Sequence, residues 1–210
     1  IMFRSFQDVA EVARRGTTML EGAGTVDPDD PVWVEFAHTM PPVVAPAAQF
    51  LGEVAASGGP QKVLDIAAGH GLFGIGIARR NPQARIVPVD WSAVLEVAKE
   101  NAAKAGVADR YHPIAGDAFQ VDFGTGYDVA LLTNFLHHFD KPTCESLLRK
   151  IRASLAPGGK VYTLEFVPNE DRVSPPAAAA FAVIMLCNTP GGDAYTFEDL
   201  QAMFANAGFS

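Results

Sequence analysis

The chain has 210 residues, of which 24 are Asp or Glu and 16 are Lys or Arg, for a formal net charge of −8. That balance gives no electrostatic footprint for nucleic acid or for an anionic membrane surface. Hydrophobic residues make up 49% and charged residues 19%, which is the make-up of a folded domain with apolar material for a core, and no run approaches the roughly 20 apolar residues that cross a bilayer.

In chain order, Ile1-Met2-Phe3-Arg4 lacks a charged leader followed by an apolar stretch, so no secretion signal is expected. Residues 1–58 read as helical. Phe6, Val9, Val12 and Ala13 recur at helical spacing, and so do Val43, Val44, Ala47, Phe50, Leu51 and Val54. Between them, the segment 22–31 carries the Gly, Asp and Pro of a loop. From residue 60 short aliphatic runs alternate with amphipathic stretches. Strands are expected at 63–67, 85–90, 111–117, 127–134 and 160–166, and helices at 71–80, 92–105, 143–155, 177–187 and 196–207. This alternation predicts an α/β fold, a doubly wound and mostly parallel sheet with helices on both faces. Its ligand crevice would lie at the carboxyl ends of the strands. The chain thus divides into a helical segment, 1–58, and an α/β domain, 59–210. Cys144 and Cys187 lie far apart and follow no metal-ligand spacing, so no metal is expected and a reduced, cytoplasmic protein is the simplest reading.

The first strand runs into Asp65-Ile66-Ala67-Ala68-Gly69-His70-Gly71-Leu72-Phe73-Gly74. Glycines there permit a sharp turn and a close backbone approach, and the helix that follows points free N–H groups at whatever binds. Gly69, Gly71 and Gly74 fit G-x-G-x-x-G, a weak dinucleotide signal that would suit an NAD-dependent oxidoreductase. Asp90 ends the second strand, where an acid can accept both hydroxyls of a ribose. It suits any adenosine ligand equally. Asp65, by contrast, sits where a pyrophosphate would be repelled and an ammonium welcomed. Gly116-Asp117-Ala118-Phe119 follows the third strand, placing an acceptor and an apolar face at an adenine site, and Pro157-Gly158-Gly159 leads into the fifth strand.

In this order the motifs of residues 60–166 resemble those of the class I S-adenosylmethionine-dependent methyltransferases, with Ala67 and Ala68 where many relatives have glycine. The resemblance implies that S-adenosylmethionine, or its product S-adenosylhomocysteine, is held by Asp65, Ala67, Gly69, Gly71, Asp90, Trp91, Asp117, Ala118, Phe119 and Asn134.

Residues 134–192 are further similar to the small-molecule O-methyltransferases of the plant phenolic type and their bacterial relatives. His137-His138-Phe139 matches that family's His-Asp-Trp element, with two departures. His137 is implied as general base and Glu165 as the acid that orients it, while Phe135, Phe181, Met185 and Asn188 are implied around the acceptor. A second family acid falls on Ala194, so that carboxylate is absent, though Asp193 is adjacent. The implied reaction is methyl transfer to a hydroxyl of a small aromatic or polyketide-like molecule. The base removes the proton, and the acceptor oxygen is held at roughly 3 Å from the methyl carbon. Transfer to nitrogen or carbon on the same fold, or a cofactor-binding domain without catalysis, are the alternatives. The family also has an N-terminal dimerisation domain and a final strand pair after its Ala-Gly-Phe turn, here Ala207-Gly208-Phe209. The chain is therefore expected to be part of a longer, homodimeric protein.

Overall fold

The computed structural model describes residues 6–22, 24 and 32–210; most of the loop expected at 22–31 lies outside them. The chain forms two compact units. One comprises residues 31–133 and 153–163 and carries the sheet; the other comprises 1–30, 134–152 and 164–210.

Strands β1 (Gln61–Ile66), β2 (Ala84–Asp90), β3 (Ile114–Ala115), β4 (Tyr127–Thr133) and β5 (Leu155–Leu164) form one sheet in the order β3-β2-β1-β4-β5. β1 pairs in parallel with both β2 and β4, and β2 with β3. The first three strands step outward in one direction, and β4 returns to the other side of β1. Beside β1 is therefore the point where strand order reverses and where such sheets open a crevice. Val63, Leu64 and Ile66 of β1 are fully buried, as expected of a strand covered on both faces. The predicted mostly parallel α/β fold is observed.

Two strands differ from expectation. The third shrinks to Ile114–Ala115, with one isolated bridge from Tyr111 to Ile86. Pro113 lies between them and has no N–H to give a ladder. The fifth begins earlier, at Leu155, so the Pro-Gly-Gly turn belongs to it. Gly159 there passes so close to the start of β4 that a Cβ would come within 2.7 Å of the Tyr127 carbonyl oxygen.

Helices α2 (Val32–Thr39), α3 (Pro41–Ala55), α4 (Leu72–Arg80) and α5 (Ser92–Lys104) belong to the sheet-bearing unit; α1 (Val9–Arg15), α7 (Pro176–Asn188) and α8 (Phe197–Asn206) belong to the other. Helix α6 (Lys141–Ser154) begins in that second unit. α3 and α4 cross at paired glycines. A Cβ on Gly76 would lie 2.7 Å from the Ala48 carbonyl oxygen, and one on Gly52 would lie 2.9 Å from the Gly76 carbonyl. This crossing anchors α4, whose N-terminus carries the glycine loop. Gly76→Ala should lower the unfolding free energy by about 1–2 kcal/mol in urea titration, because overpacking outweighs the ~1 kcal/mol that alanine gains inside a helix. Gly58→Ala, with open space around it, should leave stability nearly unchanged.

Candidate functional site

The turn from β1 to α4 is held from below by Asp65. The side chain is fully buried, and its Oδ2 accepts from the Gly74 N–H at 3.0 Å. Burial pushes the Asp65 carboxyl up to about 7; the Gly74 N–H opposes this and the neighbouring Asp90 adds to it. Its other oxygen, Oδ1, has no hydrogen-bond partner among the described residues. Above it the chain turns through Ala67, Gly69 and Gly71, all with positive φ. Glycine takes that conformation freely, whereas an alanine there costs about 1–2 kcal/mol. The departure at Ala67 therefore carries strain, while Ala68 is regular, its N–H donating to Val89 O. Among the described residues a Cβ on Gly69 would meet only the Ala67 carbonyl oxygen, at 3.9 Å, so they leave the loop open on that side.

Asp90 closes the loop from β2. Its Oδ2 accepts from the Gly69 N–H at 2.8 Å and its Oδ1 from the Trp91 N–H at 2.7 Å. Burial raises its carboxyl to about 6, against those two N–H groups. The Trp91 ring packs on the cluster of Ala37, Val94 and Val97. Asp117 Oδ1 accepts from the Phe119 N–H at 2.8 Å, with Ala118 buried beside them. Asp65, Ala67, Gly69, Gly71, Asp90, Trp91, Asp117, Ala118 and Phe119 all lie in the sheet-bearing unit, at or just beyond the carboxyl ends of β1, β2 and β3.

In the other unit, Asn134 has a left-handed backbone, φ +52°, and its N–H donates to Leu164 O at 2.7 Å. The next residues converge on one carboxylate. Glu165 Oε1 accepts from the N–H groups of Phe135 and Leu136 at 2.9 and 2.8 Å, and Oε2 meets His137 Nδ1 at 2.5 Å. Oε1 is thereby fixed as an acceptor, so the arrangement favours a proton on Nδ1 donated to Oε2. Nε2 is then the basic nitrogen. His137 is 5% exposed, and the Phe181 ring meets its imidazole edge-on, at 4.7 Å between centroids. Phe181 also stacks on Phe166 at 4.0 Å. Burial, and then the adjacent His137, hold His138 well below the ordinary imidazole range, which keeps it neutral. Phe135 packs against His138 and Phe139. Met185 and Asn188 are buried in α7, and the Asn188 amide donates to Ile184 O. Asp193 does not replace the acid missing at Ala194. Its N–H donates to His137 O at 3.0 Å, while its carboxylate pairs with Arg172.

Two further buried groups, His70 and Tyr111, lie against the turn from β1 to α4. His70, read only as the residue between two glycines, is pushed down to about 4 by burial, and its Nδ1 accepts the Leu72 N–H at the start of α4. Tyr111, read as a strand residue, brings its hydroxyl under Gly71. Nothing in their spacing marks either one.

A nucleotide-type glycine loop with acids at successive strand ends, and a carboxylate-held histidine after the fourth strand, define a methyltransferase-like α/β protein. Residues 39–210 match the family model described as an O-methyltransferase domain, and the chain belongs to this family of S-adenosylmethionine-dependent methyltransferases. The oxidoreductase alternative is thereby set aside. A solved structure from Nostoc punctiforme, of a protein provisionally described as an O-methyltransferase, is 54% identical with a TM-score of 0.96; the match covers 100% of this chain and 63% of that one. The 3-hydroxy-5-methyl-1-naphthoate 3-O-methyltransferase of Streptomyces sahachiroi is 30% identical over 152 residues, 72% of this chain and 44% of that protein. The L-tyrosine C(3)-methyltransferase of Streptomyces lavendulae is 28% identical, over 78% of this chain and 45% of that protein. The chain thus spans under half the length of these curated relatives.

Replacing Glu165 tests its role as an anchor. Glu165→Ala strips partners from two backbone N–H groups and an imidazole, and should lower the unfolding free energy by about 2–4 kcal/mol. Glu165→Gln, which keeps Oε1 as acceptor, should lose less than half of that in the same denaturant titration.

Proposed function

We propose that the complete protein transfers a methyl group from S-adenosylmethionine to a hydroxyl of a small aromatic or polyketide-like molecule, with His137 as general base. The observation that carries this reading is the seating of His137 Nδ1 on Glu165, which leaves Nε2 to take a proton. The naphthoate relative, whose name records a 3-O-methylation, supports an aromatic hydroxyl as acceptor.

The residues fit the cofactor. The unpartnered Oδ1 of the fully buried Asp65 suits a cationic amino group, directly or through water. The open face of Gly69 admits a ligand against the backbone, and Asp90 and Asp117 suit ribose hydroxyls and an adenine amino group. When bound, S-adenosylmethionine supplies an activated methyl group on a sulfonium. The protein's own part in the chemistry is to hold the acceptor and remove its proton. His137 Nε2 accepts the hydroxyl proton, and Glu165, seated on Nδ1, stabilises the imidazolium that results. Phe135, Phe181 and Met185 supply apolar surface that keeps water from the acceptor; Asn188 lies on the same helix as Phe181 and Met185.

The missing second acid at Ala194, together with the tyrosine C-methyltransferase among the relatives, favours transfer to an activated aromatic carbon as the second reading. Kinetics of the full-length protein separate the two. His137→Ala should lower the rate on an unactivated phenol by about 10²–10⁴-fold, while calorimetry finds unchanged affinity for S-adenosylmethionine and no binding of NAD. The wild-type pH–rate profile should carry a limb from the base that is missing from the mutant. His138→Ala should cost far less. Full rate in both mutants would rule out oxygen methylation through a histidine base.

A further inference from the structure

Tyr111 is buried, 6% exposed, and its Oη has no hydrogen-bond partner among the described residues. No step above uses it. A parallel bridge to Ile86 of β2 fixes its backbone, and its hydroxyl lies directly beneath the glycine loop: a Cβ on Gly71 would stand 2.5 Å from Oη. One helical turn on, a Cβ on Gly74 would meet Ile86 Cγ2 at 2.6 Å and Asp65 Oδ2 at 2.7 Å. Ile86 thus ties the two positions together, and the phenol and the Asp65 carboxyl lie under the same helix start. Asp65 Oδ1 is the second unpartnered buried oxygen there. One of these atoms is a donor and the other an acceptor. Left apart, each would be a buried polar atom with no partner, which folded proteins avoid. Burial and the charges of Asp65 and Asp90 push the phenol well above its ordinary pKa, so it stays protonated and can donate.

We propose that Tyr111 is a positioning residue for Asp65: its hydroxyl donates toward Oδ1 through one bridging water, and favours the ionised carboxylate that the cofactor's amino group requires. The proposal rests on the reading that S-adenosylmethionine binds this loop. It also assigns a distinct task to each glycine. Gly69 leaves room for a ligand, whereas Gly71 leaves room for the phenol.

A donor to the charged form lowers a carboxyl pKa, so removing it must raise that pKa. The direct test is a ¹³C carboxyl titration of Asp65, its signal assigned with Asp65→Asn. In Tyr111→Phe the midpoint should move upward by about one pH unit, the equivalent of one lost hydrogen bond. With 3-fluorotyrosine at position 111, a stronger donor, it should move downward. An unmoved midpoint in both variants overturns the proposal. Calorimetric titration with S-adenosylmethionine then tests the consequence. Tyr111→Phe should weaken binding several-fold at pH 6.5 and little at pH 8.5, and the Asp65→Asn background should remove the difference. Equal weakening at both pH values would mean a merely structural role and would also overturn it. Wild-type protein that binds no S-adenosylmethionine would overturn the cofactor reading and the positioning role with it, while the carboxyl titration still reports separately on the Tyr111–Asp65 link.

Discussion

Loops that leave the carboxyl ends of parallel strands carry backbone N–H groups with no strand to pair with. In this protein side-chain carboxylates receive them. Asp65 takes the N–H of Gly74, Asp90 those of Gly69 and Trp91, Asp117 that of Phe119, and Glu165 those of Phe135 and Leu136. Buried N–H groups must be satisfied, and meeting that demand with acids places negative charge wherever the chain leaves a strand. Among these acids, Asp65 keeps one oxygen, Oδ1, with no hydrogen-bond partner among the described residues.

The same device has different electrostatic results at each strand end. Asp65 and Asp90 are buried near one another with few donors, and both carboxyls rise toward neutral pH. A cation or hydroxyl donor arriving there would favour ionisation, so binding should release protons near neutrality. Glu165 has two backbone donors on one oxygen and an imidazole on the other. The first pair reads as a site prepared for a ligand, and the second as an anchor for a histidine.

Much of this was legible in the sequence. β1, β2 and β4 are aliphatic runs ending in, or leading to, turn chemistry, and α4 and α5 follow as amphipathic stretches, so the layout from 60 to 134 could be read from periodicity. Position after the fourth strand pointed to the His137-His138 pair, but the choice of His137 and its pairing with Glu165 were legible only through family resemblance. Other features had no local signal. The third strand shortens because Pro113 interrupts it. Asp193, adjacent to the missing acid, turns instead to Arg172, a partner distant in sequence. The fifth strand absorbs a Pro-Gly-Gly turn because Gly159 can approach Tyr127 closely. The orphaned oxygens of Asp65 and Tyr111 are visible only once the fold brings residues from β1 and beyond α5 under one helix start.

The seating of His137 on Glu165 favours an imidazole with its proton on Nδ1 and its lone pair on Nε2. ¹⁵N NMR of the ring nitrogens in the neutral histidine reads this directly. The expected spectrum shows a protonated, pyrrole-type Nδ1 and an unprotonated, pyridine-type Nε2, with the Nδ1 proton shifted strongly downfield by the carboxylate and the pattern lost in Glu165→Ala. Two equivalent, averaged nitrogens, or a proton resident on Nε2, would contradict it.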